Sequence, residues 1–80
     1  MRKYYKHSDN QFSCVVETEK GFRHLFLSRY SDGSFSFSNG YHAPDNDFLQ
    51  TFLEGVEIAT KAEWVAIYKE ITTKLNRLYL

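Results

Sequence analysis

The chain has 80 residues, and its ten basic and ten acidic side chains cancel, so no overall field draws in nucleic acid or an acidic membrane surface. Aromatic residues make up 18% of the sequence, which excludes a disordered segment and predicts a single small domain over residues 1–80. One cysteine, Cys14, excludes an internal disulfide and a multi-cysteine zinc site and suits a reducing cytosol, and no apolar run is long enough to cross a membrane.

Two strands are predicted at the start of the chain. Residues 1–7 lead into the turn cluster 8–10, and residues 11–18 alternate apolar and polar side chains as a half-buried strand does. A three-residue loop over 19–21 is expected next, with Gly21 supplying a positive φ, so that Thr18 pairs with Phe22. This register predicts a common face for five side chains: Phe12, Cys14, Val16, Phe22 and Phe26.

A second hairpin is predicted after the third strand, residues 22–30. Its turn at 31–34 contains an Asp-Gly pair, which favours tight hairpins. Tyr30 is expected to pair with Phe35, so that Phe35 and Phe37 join the same Phe-rich face in a fourth strand of about five residues. The strands therefore predict an antiparallel meander of three or four strands.

The segment that follows is less regular. Residues 39–47 are rich in turn-forming side chains and include the only proline, Pro44, so they predict the longest loop. Residues 48–53 favour one or two helical turns that stop at Gly55, and the alternative is an extended arm.

The clearest element is a C-terminal amphipathic helix over residues 60–78. Thr60 and Glu63 have the spacing of a capping box, which marks the helix start. Apolar side chains then recur at intervals of three and four: Trp64, Ile67, Tyr68, Ile71, Leu75 and Leu78. The sequence thus predicts an α+β fold, an antiparallel three- to four-stranded meander packed on one C-terminal helix.

No catalytic, cofactor or metal site is predicted, and the chain is expected not to be an enzyme. His7, Cys14, His24 and His42 lack the spacing of metal ligands, and no nucleophile motif or phosphate-binding glycine loop occurs. His24 is expected opposite Val16, on the face that the C-terminal helix covers, as a hydrogen-bonded residue of the core or its rim.

A protein-binding surface is predicted on the face of the sheet that the C-terminal helix leaves free. The expected register places Val15, Leu25 and Leu27 there, flanked by Arg23 and Arg29, and an aliphatic centre with an arginine rim is typical of protein interfaces. Three occupants are considered: residues 48–53 of the same chain, a second copy, or a different protein. Replacing Leu25 and Leu27 with polar residues is expected to leave folding nearly intact and to abolish association.

The alternative function is DNA binding. The order of several antiparallel strands followed by a C-terminal helix, over residues 12–78, is similar to the arm-type DNA-binding domains of phage and transposon integrases. The resemblance implies a sheet that lies in the major groove, with Lys20, Arg23 and Arg29 as candidate contacts. The zero net charge disfavours this function, because phosphate contacts dominate DNA affinity.

Overall fold

The computed structural model describes residues 1–80 and contains seven elements of secondary structure. In chain order they are β1 Arg2–Ser8, β2 Gln11–Thr18, β3 Gly21–Arg29, β4 Phe35–His42, α1 Phe48–Phe52, β5 Glu57–Ile58 and α2 Lys61–Tyr79. The strands form one antiparallel sheet in the order β4-β3-β2-β1-β5, so that β4 and β5 are its edges. The predicted α+β meander is confirmed, with β5 as an additional short strand, and neither helix has the length and apolar character needed to cross a membrane.

Helix α2 begins where the sequence predicts it. The Glu63 amide donates to Thr60 Oγ1 at 3.1 Å, and Glu63 Oε1 accepts from the Thr60 amide at 3.0 Å, which completes the capping box. Its buried side chains are Trp64, Ile67 and Ile71, a stripe with helical spacing that faces the sheet. Local signals alone therefore determine this element.

The core lies between α2 and one face of the sheet, here called the α2 face. Phe12, Cys14 and Leu27 of the sheet are buried against α2, with Tyr4, Val16, Leu25 and Phe35 partly buried around them. Each fully buried apolar side chain of this size contributes about 1.5 to 3 kcal/mol relative to exposure. The C-terminal end of α2 extends past this core, since Leu75 is half-buried and Leu78 is exposed.

The first predicted register is wrong by one residue. Thr18 pairs with Gly21 rather than with Phe22, so the turn has two residues, Glu19 and Lys20. Gly21 is therefore a ladder residue with φ +144°, and a Cβ there would overlap the carbonyl oxygen of His42. A shift of one residue moves every side chain of the strand to the opposite face.

The second hairpin is shifted in the same way. Phe35 pairs with Arg29 and Phe37 with Leu27, where the sequence predicts Tyr30 opposite Phe35. The predicted single Phe-rich face is therefore wrong, because Phe22 and Phe26 lie on the other side of the sheet. Strand β4 also continues to His42, through four residues that the sequence assigns to a loop.

The opposite face, here called the α1 face, is covered by the chain itself. Residues Phe48–Phe52 form the predicted short helix, and Leu49 is buried against the sheet. After α1, the chain returns to the sheet as β5, where Ile58 pairs with Tyr5 of β1. Of the three occupants considered for this face, the chain's own segment is the one present.

Candidate interaction surface

The five residues predicted to bind a partner do not share a face. Leu27 is 2% exposed beneath α2, and Leu25 lies half-buried on the same α2 face. Val15 is buried on the α1 face, opposite His24. The predicted grouping is wrong because the β2–β3 register differs by one residue, which separates Val15 from the two leucines.

The two arginines of that group have different surroundings. Arg29 donates through Nη1 to Glu70 Oε1 at 2.8 Å, through Nε to Asn10 Oδ1 at 2.9 Å and through Nη2 to the Asp9 carbonyl at 3.0 Å. It thus joins the β1–β2 turn to α2. Arg23 is exposed on the α2 face, opposite Val16.

Of the three contacts predicted for DNA binding, Lys20 and Arg23 are exposed, and Arg29 is paired with Glu70. α2 crosses one face of the sheet, α1 packs on the other, and Glu70 neutralises Arg29. No observation favours a sheet that lies in the major groove. A salt-dependent shift with random duplex DNA is the direct test of that alternative.

All three histidines lie on the α1 face, and two of them contact a buried serine. Ser13 of β2 is 0% exposed, and its Oγ lies 2.7 Å from Nε2 of His7 and 2.8 Å from Nε2 of His24. The hydroxyl has one proton, so it donates to one neutral imidazole and accepts from the other, and the two rings must be opposite tautomers. His42 of β4 lies next in the row, with its ring centroid 6.1 Å from that of His24.

Helix α1 closes this cluster with two phenylalanine rings. The Phe52 centroid lies 5.1 Å from His7, 5.5 Å from His24 and 5.7 Å from Phe26. Phe48 stacks on His42 at 5.5 Å. Aromatic contacts and the buried Leu49 therefore hold α1 on the sheet.

Burial favours the neutral form of two of these histidines, His24 and His7. Removal from water lowers the pKa of His24 to about 4, with smaller contributions from the charges of His42 and His7, and burial also lowers the pKa of His7. The serine with two imidazoles has the partners of a hydrolytic nucleophile, but its side chain is fully buried. The hydrogen bonds satisfy buried polar atoms, and the expectation that His24 is hydrogen-bonded is confirmed. Its expected position opposite Val16 is wrong, because His24 pairs with Val15 and lies on the α1 face.

An open cleft of about 800 Å³ lies beside α1, above the ends of β1 and β2. Its wall includes the apolar side chains of Val15, Phe22 and Leu49 and the opposite charges of Lys3 and Glu17. Every buried polar side chain of the protein has a hydrogen-bond partner, and the polar groups that line the cleft belong to exposed or half-buried side chains.

The free edge of β4 is the most distinctive surface. Strand β4 pairs with β3 over all eight of its residues, Phe35–His42, and with nothing on its other side. It contains no proline and no Asp, Glu, Lys or Arg, which are the usual protections of an exposed edge. The opposite edge is protected, because β5 covers part of β1 and Lys3, Lys6 and Glu57 surround it.

The direction of the unpaired backbone groups follows from the β3–β4 turn. The Tyr30 amide donates to the Ser34 carbonyl at 2.9 Å, and Ser28 pairs with Ser36 two residues on. Because inward and outward residues alternate in an antiparallel ladder, the even-numbered residues of β4 bond to β3. The N–H and C=O groups of four residues therefore point to solvent: Phe35, Phe37, Asn39 and Tyr41.

An apolar groove lies beside this edge, on the α2 face. Its apolar lining comes from Phe35 and Phe37 of β4 and from Leu75, Leu78 and Tyr79 at the end of α2, and Lys74 and Arg77 of α2 also line it. Phe37 is 52% exposed, and Leu78 and Tyr79 are 67% and 77% exposed. Unpaired backbone groups and exposed apolar side chains thus occur together at one edge of the sheet.

Comparison of the chain with protein-family models, curated proteins and solved structures gave no match. The site therefore rests on its own geometry. Sequence reasoning missed the edge because it ended the fourth strand before Asn39-Gly40, a turn-forming pair that lies inside β4. Tyr41, which continues the alternate spacing of the aromatic residues Phe35 and Phe37, was the available signal for a longer strand.

Proposed function

We propose that this chain is a small non-enzymatic, protein-binding domain that takes an extended polypeptide segment onto the free edge of β4. The observation that carries the proposal is the row of outward N–H and C=O groups at Phe35, Phe37, Asn39 and Tyr41, next to an apolar groove. In strand addition, backbone hydrogen bonds supply affinity and side-chain pockets beside the edge supply selectivity. The buried free thiol of Cys14 suits work in a reducing cytosol.

Proline at position 39 provides a selective test. Asn39→Pro removes an outward N–H without removing a hydrogen bond to β3, and proline is tolerated on an edge strand where the N–H faces solvent. Asn39→Thr is the matched control, because it keeps the N–H and suits a strand. A displayed library of random linear peptides is selected on the wild-type protein and on both variants.

We expect peptides that bind the wild-type protein and Asn39→Thr and that lose binding to Asn39→Pro. Circular dichroism and urea unfolding establish that both variants are folded. Peptides that bind Asn39→Pro as tightly as the wild type would place the binding surface elsewhere and overturn the proposal.

A further inference from the structure

We infer that the strand taken up by β4 is β4 of a second copy of this chain, in an antiparallel pair with its two-fold axis at Ser38. This inference rests on the proposed function and names its partner. An antiparallel strand paired with itself is isologous, so the same edge serves both subunits.

The axis at Ser38 follows from the alternation of β4. Only this axis places every outward residue opposite another outward residue: Phe35 opposite Tyr41, and Phe37 opposite Asn39. All four of these residues then exchange hydrogen bonds across the interface. An axis at Phe37 would leave Tyr41 opposite Gly33, which lies in the turn beyond the strand.

The side chains also suit this pairing. On the α1 face, Ser38 meets Ser38 and Ser36 meets Gly40, so small groups occupy the contact without crowding. On the α2 face, Tyr41 of the second copy lies opposite Phe35, at the groove that Leu78 and Tyr79 line. Aromatic pairs across antiparallel strands are favourable contacts.

The absence of charge on β4 favours a second copy as the occupant. A charge at Phe37, Ser38 or Asn39 would lie opposite or diagonal to its own symmetry mate, and β4 has no Asp, Glu, Lys or Arg. The whole chain has a formal net charge of zero, so two copies meet without long-range repulsion.

The expected association is that of a small, transient interface. A strand pair with its flanking aromatic side chains buries less than the roughly 800 Å² per partner of a standard interface. We therefore expect a dissociation constant on the order of 10 to 100 μM. Sedimentation equilibrium over that concentration range should show a transition from 9.5 kDa toward twice that mass.

A charge swap on the two-fold axis tests the register. Ser38 is exposed, so Ser38→Lys and Ser38→Glu should each leave the monomer folded. Each places two like charges directly opposite one another, and we expect the dissociation constant to rise about tenfold. An equimolar mixture of the two variants should restore association as a mixed dimer. Ser36→Lys is the matched control, because Gly40 lies opposite and no like charge is introduced.

The outcomes separate the inference from the proposed function. A wild-type protein that stays at 9.5 kDa overturns the second-copy inference. Peptides that bind the wild type and Asn39→Thr but do not bind Asn39→Pro would still support strand addition. A dimer that Ser38→Lys leaves intact, or that Ser36→Lys weakens equally, overturns the pairing about Ser38. Failure of both the mass measurement and the peptide selection overturns both proposals.

Discussion

Oγ of Ser13 and Nε2 of His24 lie 2.8 Å apart beneath α1, and both side chains are buried. The imidazole is thus hydrogen-bonded without being exposed to water. A neutral ring satisfies this arrangement, whereas an imidazolium would be desolvated beside two further histidines, and the pKa of His24 falls to about 4.

The first prediction is that acid destabilises the fold through His24. Its pKa is 6.5 in the unfolded chain and about 4 in the folded one, so the unfolded state binds more protons between these values. The contribution of neutral His24 to stability is complete above pH 6.5 and is lost as the pH falls toward 4. The free energy of unfolding should fall by at most about 3 kcal/mol over this range. Urea unfolding at pH 7 and pH 4.5 measures it.

His24→Gln should reduce this pH dependence, because glutamine keeps a hydrogen-bonding group near Ser13 and does not titrate. His42→Gln is the control and should retain most of it, since burial is the main cause of the shift in His24. An unchanged pH dependence in His24→Gln would contradict the assignment.

The second prediction concerns the two leucines of the predicted outer face. Leu27→Ala should lower the free energy of unfolding by about 2 to 5 kcal/mol, because it opens a cavity beneath α2. Leu25→Ala should cost less, since Leu25 is only half-buried. Polar residues at both positions are therefore expected to unfold the protein, and not to leave folding nearly intact. Equal, small losses in the two alanine variants, measured by urea unfolding, would argue against the observed register.

The third prediction concerns the three hydrogen bonds of Arg29. Arg29→Ala should lower the free energy of unfolding by about 1 kcal/mol, and Arg29→Lys by nearly as much, because an ammonium group does not reproduce the planar fork that reaches Asn10, Asp9 and Glu70. A double-mutant cycle with Glu70→Gln should give a coupling below about 1 kcal/mol for this partly exposed pair. Full stability of Arg29→Lys would show that charge alone suffices.

The fourth prediction compares two glycines with positive φ. A Cβ at Gly33 meets open space, so Gly33→Ala should cost only the conformational strain of about 1 to 2 kcal/mol. Gly21→Ala should cost more, because its Cβ also overlaps the His42 carbonyl oxygen. Thermal unfolding of the two variants measures the difference, and equal losses would mean that the end of β4 moves away freely.

Features that depend on residues close together in the sequence could be predicted, and features that depend on pairing between distant strands could not. Thr60 and Glu63 are three residues apart and determine the start of α2 without help from the sheet. Strand β3 has apolar side chains at both parities, Phe22 and Phe26 on one face and Leu25 and Leu27 on the other, so its alternation does not identify the core face. Only the position of the turn identifies the core face, and Gly21 is compatible with both the predicted and the observed register.

The histidine cluster and the free edge depend on that same register. His7, His24 and His42 are far apart in sequence, and only the observed pairing brings them to one face. Similarly, Asn39-Gly40 is typical of a turn in sequence, and only pairing with Leu25 and His24 shows that it continues β4.

The two-residue strand β5 determines how far such an assembly can grow. In a pair joined through β4, the sheet has ten strands and each of its ends is formed by β5 beside β1. There Ile58 and Glu57 already pair with Tyr5 and Lys6. Neither end offers another β4 to a third molecule, so association closes at two copies instead of continuing into a fibre. A deletion of β5 would expose the backbone groups of β1 that it now covers, and Lys3 and Lys6 would be the remaining protection of that edge.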